Sequence, residues 1–132
     1  MEWFEKLDGN VIVCDAKGIV IYMNETAIRN YEKDGGAALI GQNLMDCHKE
    51  TSRKKILEIM TTHQKNVYTI EKRGRKKIIY QTPWMDSDVF KGIVELSLEI
   101  PFKMPHYKRD WYSYKLNIII KKIMSGIQER KI

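Results

Sequence analysis

Cysteines, prolines and long apolar runs are all scarce in this sequence. Because only two cysteines occur in 132 residues, a disulfide framework is excluded, and we interpret Cys14 and Cys47 as reduced thiols of a cytosolic protein. No apolar run reaches the length of about 18 residues that a membrane-spanning helix needs. The first residues, MEWFEKLDGN, lack the basic and then apolar segments of a secretory signal. We therefore expect a cytoplasmic protein with no membrane partner.

The sequence motifs of common enzymes and of nucleic-acid-binding proteins are missing as well. There is no nucleophile elbow, no phosphate-binding loop and no dinucleotide glycine pattern, so we expect no catalytic residues and no enzyme. The net charge is +6, and the densest basic run is KRGRKK at 72–77. That run falls where a hairpin turn is expected, without an aromatic-rich basic motif. It is read as a solvated turn, and no nucleic-acid partner is predicted.

The composition, with 43% hydrophobic and 30% charged residues, is typical of one globular domain. The segment NVIVCDAKGIVIYMN predicts two strands joined by a tight turn, because β-branched residues flank Asp15 and Gly18. Asn24 is expected to cap a short helix over ETAIRNYE. A longer helix is predicted in KETSRKKILEIMTTHQ, with Thr51 or Ser52 as its cap and an apolar face that includes Ile56.

After Asn66 the pattern changes to the period of two that is typical of strands. The segment VYTIEKRGRKKIIYQTPWM predicts a hairpin that turns at Arg73-Gly74, and DSDVFKG predicts a second turn. GIVELSLEI has the strictest alternation in the chain, so one face of this strand should be core. We assign Val94, Leu96 and Leu98 to the core face. The face that carries Glu95 and Ser97 would then meet solvent, a partner or a polar pocket.

The last 32 residues differ in character from the rest. Prolines in PFKMPHYKRD should end the sheet. A helix is predicted over residues 111–127, with an apolar seam of a/d spacing that consists of Leu116, Ile120, Ile123 and Ile127. Such a short seam must dock on something, and we predict a homodimer; docking on the protein's own sheet is the alternative. The expected division is a domain at 1–100 and a proline-containing linker with a helix at 101–132.

The order of these elements resembles the PAS sensory domain. The resemblance covers residues 8 to 100 and is carried by LDGNVIVCDAKGIVIYMNETA, LIGQNLMD and KGIVELSLEI; the ending EIPFKMPHYKRD is similar to that of small, single-PAS bacterial proteins. It implies an α+β fold, a five-stranded antiparallel sheet with helices on one side, here followed by a C-terminal helix. It also implies a function in signal transduction: binding a small molecule, homodimerisation, or both, with a separate signalling protein as a further possible partner.

The resemblance also indicates where a ligand would bind. In a PAS fold the long helix faces the sheet across a cavity, and Cys47-His48 would close the mouth of that helix. The predicted ligand-binding residues are His48, Leu44, Ile56, Met60, Tyr80 and Trp84. Unpaired N–H groups at the start of the long helix would favour an anion or a carbonyl oxygen beside His48.

Other readings of the same residues stay open. One is a haem-based redox or gas sensor; because Ile56 stands where oxygen-sensing relatives carry the axial histidine, His48 or His63 would have to bind the iron. Light-sensing relatives carry a reactive cysteine where Leu44 stands here, so flavin is not expected. Adjacent residues such as Cys47 and His48 diverge on a helix, so no metal site is predicted. A protein–protein interaction module with a filled core is the remaining alternative.

Overall fold

The strands expected from the period-two segments and the expected helices are present. The structure is a computed structural model that describes residues 2–130, apart from the side chains of Cys47 and of residues 111–114 and 128–130. The elements are β1 (Asn10–Asp15), β2 (Val20–Met23), α1 (Glu25–Asn30), two short 3-10 helices (Glu32–Asp34 and Gly36–Leu39), α2 (Leu44–Cys47), α3 (Glu50–Thr62), β3 (Asn66–Lys72), β4 (Arg75–Asp86), β5 (Val89–Ile100) and α4 (Trp111–Arg130).

The sheet has five antiparallel strands in the order β2-β1-β5-β4-β3. The β3–β4 hairpin turns at Arg73-Gly74, as predicted, and both residues have positive φ angles of 53° and 74°. Ser87 and Asp88 form the second turn with φ angles of 47° and 69°. Two consecutive left-handed residues give the turn a twist that matches the twist of the strands. The expected fold class, an antiparallel sheet with helices on one side and a C-terminal helix, is confirmed.

Asn24 joins the first hairpin to the helix that follows it. Its side chain is fully buried, and its Oδ1 accepts hydrogen bonds from the backbone N–H groups of Val11 and Ala27 at 3.0 Å each. Its Nδ2 donates to the carbonyl oxygens of Phe4 and Gly9, each at 2.9 Å. Asn24 is the predicted N-cap of α1, and it also fixes the amino-terminal segment to the sheet.

Most of the core lies between one face of the sheet and the helices, in two clusters, while Val11, opposite Leu96 on the other face, is also buried. Near α1 the buried residues are Ile12, Val20, Met23 and Ala27. Near α3 they are Cys14, Ile56, Ile59 and Ile93. Burial raises the pKa of the Cys14 thiol above its usual value, so this cysteine is a small buried apolar residue and the thiolate is disfavoured. We call the sheet face that packs against the helices the inner face and the opposite one the outer face.

The prediction that Val94, Leu96 and Leu98 are buried in the core is wrong. These three side chains lie on the outer face and are half-buried, whereas Ile93 and Ser97, on the inner face, are 4% and 9% exposed. Alternation puts every second residue of a strand on one face, but it does not say which face is covered by helices. Of the polar residues that β5 turns inward, Glu95 borders a cavity, which is described below.

The predicted cap of the long helix is also wrong by about one half-turn. α3 begins at Glu50, and its N-cap is Lys49, whose side chain makes no capping hydrogen bond. Thr51 and Ser52 lie inside the first turn. The backbone is extended at His48 and Lys49, and Arg53 Nε donates to the His48 carbonyl oxygen at 2.8 Å. An exposed first turn can be hydrated, so the helix can start without a side-chain cap.

Residues up to Phe102 form one compact unit, and those from Lys103 onward form a second. In the second unit α4 exposes large apolar side chains along its length, including Leu116, Ile120, Ile123 and Ile127 of the predicted seam. Mean hydropathy and charge along the described helices are such that none of them could cross a membrane.

Candidate functional site

A cavity of about 320 Å³ opens between the inner face of the sheet and the short helices. Its walls come from β1, β2 and β5 on the sheet side and from the irregular segment between α1 and α3 on the other. Half of the lining is apolar and half is polar. The lining residues are Ile12, Val20, Met23, Tyr31, Asp34, Leu39, Gln42, Leu44, His48 and Glu95.

The inner face of the sheet carries a row of residues paired across five strands, and Glu95, Ile12 and Met23 of this row line the cavity. Asn66 pairs with Gln81, Gln81 with Glu95, Glu95 with Ile12, and Ile12 with Met23. Residues directly opposite each other on neighbouring strands share one face of the sheet. The row is therefore polar on β3, β4 and β5 and apolar on β1 and β2, which gives the floor of the cavity two chemically different ends.

The polar half of the row forms a chain of hydrogen bonds that ends at a carboxylate. Asn66 Nδ2 donates to Gln81 Oε1 at 2.9 Å, and Gln81 Nε2 donates to Glu95 Oε1 at 2.8 Å. Gln81 is buried, so its amide has a fixed direction, and both of its ends are satisfied. The chain holds Glu95 at the cavity wall with one oxygen bound to Gln81.

His48 lies on the other side of the cavity, at the C-cap of α2. Its Nδ1 is 2.7 Å from the Leu44 carbonyl oxygen. A carbonyl oxygen can only accept a hydrogen bond, so Nδ1 carries the proton, and Nε2 is the ring nitrogen that remains for other contacts. In the neutral ring Nε2 is an acceptor. This contact fixes the imidazole to the last turn of α2, which itself is capped by Asn43 through Met45 N at 2.9 Å.

Tyr31 adds a hydroxyl group to the polar side of the cavity. Burial raises its pKa to about 12, and the negative charges of Glu95 and Asp34 act in the same direction. The phenol therefore stays protonated at neutral pH and can donate a hydrogen bond. Tyr31 also ends α1, where its backbone N–H donates to the Ala27 carbonyl oxygen. The polar side chains that line the cavity are two carboxylates, an imidazole, an amide and a phenol.

Comparison with known proteins rests on structure, since no protein-family model and no curated protein matches the chain. A C-terminal domain from Streptococcus mutans superposes with a TM-score of 0.60 at 16% identity, covering 73% of this chain and 78% of that one. The PAS domain of the histidine kinase ThkA gives 0.57 at 13% identity, covering 68% and 98%. The Aer2 receptor from Vibrio cholerae, a dual PAS-heme oxygen sensor, gives 0.52 at 16% identity, covering 70% and 95%. This chain has the PAS fold.

Two of the residues that were expected to bind a ligand in a PAS cavity, Leu44 and His48, line the cavity. Ile56 is 3% exposed and lies in the α3 cluster, beside a second void of only about 20 Å³. Met60 packs against the same cluster. The structure therefore brings Leu44 and His48 together at the cavity and places Ile56 and Met60 in the core behind it.

Tyr80 and Trp84 lie on the outer face of this PAS sheet, away from the cavity. Tyr80 pairs with Leu96, whereas its neighbour Gln81 pairs with Glu95 on the inner face. Tyr80 is half-buried, Lys65 Nζ lies 5.9 Å from its ring centre, and Trp84 is 36% exposed. The expectation assigned the aromatic residues of β4 to the inner face, but the strand has the opposite phase and turns its polar residues inward.

Sequence reasoning missed Glu95, Tyr31, Asp34 and Gln42 as cavity residues. Glu95 could have been predicted from the sequence. It alternates with apolar residues along β5, and a polar side chain at such a position is one of the signs of a polar pocket. The other three lie on an irregular segment without a periodic pattern, and only the tertiary structure brings them to the cavity.

The histidines that were considered for iron are placed differently. His63 ends α3 in a left-handed conformation, and its ring stacks on Phe90 at 4.6 Å between ring centres; it does not line the cavity. Cys47, the possible thiolate neighbour of His48, has a side chain outside the described residues. In the part of the chain that is described, no group of three or more His, Cys, Asp or Glu side chains is arranged to hold a metal ion.

Proposed function

We propose that this chain is a sensory PAS domain that binds a small molecule in the cavity lined by Leu44, His48 and Glu95. The observation that carries the proposal is the volume of about 320 Å³ beside the polar row of the sheet. Pockets for small molecules have volumes of roughly 300–1,000 Å³ and combine apolar walls with a few directed polar groups. A cavity at the lower end of this range suits a small metabolite.

The polar residues of the inner face support the proposal independently of the volume. Glu95, Gln81 and Ser97 occupy the side of β5 and β4 on which the helices pack, where apolar residues would be expected. A buried polar group destabilises a fold unless it is hydrogen-bonded. A ligand in the cavity would meet this polar row at Glu95, which borders the cavity and accepts the hydrogen bond of Gln81.

The segment between α1 and α3 is suited to report the bound state. It consists of short 3-10 helices, the four-residue α2 and turns, and the N–H groups of Gly41 and Leu44 donate to the Val20 and Gly18 carbonyl oxygens of the first hairpin. His48 joins α2 to α3, and a ligand in contact with His48 would stabilise one arrangement of that junction. A change in self-association or in contact with a separate signalling protein would transmit the signal.

Retention of a co-purified molecule tests this proposal. Native mass spectrometry of the freshly purified protein should show a bound small molecule, and His48→Ala should weaken its retention. The loss of one neutral hydrogen bond is worth about 0.5–1.5 kcal/mol, or roughly 2- to 13-fold in affinity. His106→Ala, on the exposed segment before α4, is the matched control and should retain the molecule. The absence of any bound molecule together with unfolding of His48→Ala would make His48 a structural residue and remove the proposal.

We favour an organic ligand over the haem alternative. The Glu95 carboxylate and the Asp34 carboxylate at the polar end would repel the acidic side chains of a haem, and only one of the two candidate histidines, His48, reaches the cavity. An absorption spectrum of the purified protein separates the two readings, because haem gives a Soret band and most small metabolites do not absorb visible light.

We further propose that the protein forms a homodimer through α4, with residues 1–100 as the sensory domain and residues 101–132 as linker and dimerisation helix. A helix of 20 residues is about 30 Å long, and exposed apolar side chains at this density favour association. Sedimentation should give a dimer for the wild type and a monomer for Ile120→Lys. Ser125→Lys adds the same charge to the same helix outside the seam and should leave the dimer intact. A wild-type monomer would contradict the proposal.

A further inference from the structure

The charge of the cavity is opposite to the charge of the protein. The chain carries 23 Lys and Arg residues against 17 Asp and Glu, a net charge of +6. Of the described residues that line the cavity, however, two are acidic and none is Lys or Arg. Among the described residues around the 20 Å³ void behind it, there is likewise no Lys or Arg. The chemistry of this site therefore differs from that of the surface.

Glu95 is the carboxylate that determines which charge a ligand of the cavity should carry. Asp34 is exposed and also borders a second cleft, which is lined by Lys72, Arg73, Arg75 and Lys77. Glu95 is half-buried, and its Oε1 accepts the hydrogen bond from Gln81. A carboxylate removed from water is destabilised unless a cation or several donors approach it. A positively charged ligand group would meet that need.

Two other polar side chains that line the cavity have matching properties. His48 donates from Nδ1 to Leu44, so a neutral ring presents an acceptor at Nε2. Burial keeps the Tyr31 phenol protonated, and its oxygen can accept as well as donate. Acceptors thus dominate the polar end, while Ile12, Val20 and Leu39 form the apolar end. The complementary ligand has a donor-rich polar group and an apolar body.

We propose that the cavity binds a small organic cation, a primary ammonium group on a short alkyl or arylalkyl body, with the ammonium group against Glu95. This inference rests on the proposed function and specifies its ligand class. The ammonium group would donate to Glu95 Oε2 and to the neighbouring acceptors, and the hydrocarbon part would lie against the apolar end of the row. A carboxylate or phosphate ligand would meet like charge at the same place.

Three probes of similar shape test the proposal by isothermal titration calorimetry: benzylamine, benzyl alcohol and benzoate. Benzylamine should bind at least about tenfold tighter than benzyl alcohol, because a hydrogen bond to a charged group is worth more than a neutral one. Benzoate should bind more weakly than benzyl alcohol. Glu95→Gln keeps the size of the side chain and an acceptor for Gln81, and it should remove the preference for benzylamine.

Glu99→Gln is the matched control, because Glu99 follows Glu95 on the same face of β5 but is exposed and lies 3.7 Å from Arg75. It should leave the preference unchanged. Equal affinity for benzylamine and benzyl alcohol, or an unchanged preference in Glu95→Gln, would overturn the inference.

The outcomes also separate this inference from the proposed function. If the preference is absent while His48→Ala still lowers retention of a co-purified molecule, the cavity binds a ligand of different charge and only the inference is overturned. If no molecule co-purifies and none of the three probes binds, the proposed function is overturned with it.

Discussion

The two faces of β5 differ in a way that the alternation of the strand alone would not suggest. The inner face carries Ile93, Glu95 and Ser97, while the outer face carries Val94, Leu96 and Leu98. The outer face is the more apolar of the two, yet Ile93 and Ser97 are buried and all three outer residues are only half-buried. In this sheet, polarity on the covered side marks the cavity, and the apolar content of a face is a poor guide to which side is the core.

The same contrast continues on β4. Ile79 and Gln81 face inward and are buried, and Tyr80 faces outward beside Leu96. On the inner face, Ile93 packs against the α3 cluster, whereas Glu95 borders the cavity and accepts a hydrogen bond from the buried Gln81. The inner face therefore combines aliphatic residues that stabilise the fold with a polar row that reaches the cavity at Glu95.

Of the substitutions that compare the two faces, Ile93→Ala is expected to lower the free energy of unfolding most. Ile93→Ala removes a side chain that is 4% exposed and packs against Cys14, Ile56 and Ile59. Removing a buried aliphatic side chain of this size costs about 2–5 kcal/mol. Urea unfolding followed by circular dichroism measures the loss. A loss under about 1 kcal/mol would mean that α3 does not pack on this face.

A smaller effect is expected from the matched change on the outer face. Leu96→Ala removes a half-buried side chain, so the loss should be about 1 kcal/mol, in proportion to the smaller apolar area that it removes from contact. The same unfolding experiment gives the comparison directly. If Leu96→Ala destabilises the protein as much as Ile93→Ala does, the outer face is covered in solution and the contrast between the faces disappears.

Much of the fold could be predicted from the sequence, because the decisive signals are local. The turn at Arg73-Gly74 needs left-handed backbone, which glycine adopts readily. Asn24 is followed by a helix-forming segment, and its side chain caps that helix as expected. The sequence order of strands and helices agreed with the PAS fold even though no family model matches the chain.

The features that could not be predicted depend on contacts distant in the sequence. Whether Leu96 or Glu95 faces the helices depends on which side of the sheet α1 and α3 cover, and the period of two is the same in both cases. The same ambiguity explains why Tyr80 and Trp84 were predicted to face the cavity, although they lie on the outer face. Leu44 and His48 were placed at the cavity through the family resemblance, whereas Tyr31 comes from a segment without a periodic pattern.

Methyl NMR shows directly whether small molecules bind in the cavity on the inner face of the sheet. Benzylamine, benzyl alcohol and benzoate would be titrated in turn into protein with labelled Ile, Leu and Val methyl groups. We expect saturable shifts of the signals of the cavity residues Ile12, Val20 and Leu44, largest with benzylamine, and unchanged signals for Val94, Leu96 and Leu98. Shifts confined to the outer-face residues, or no shift at the three cavity residues with any of the probes, would contradict binding in the cavity.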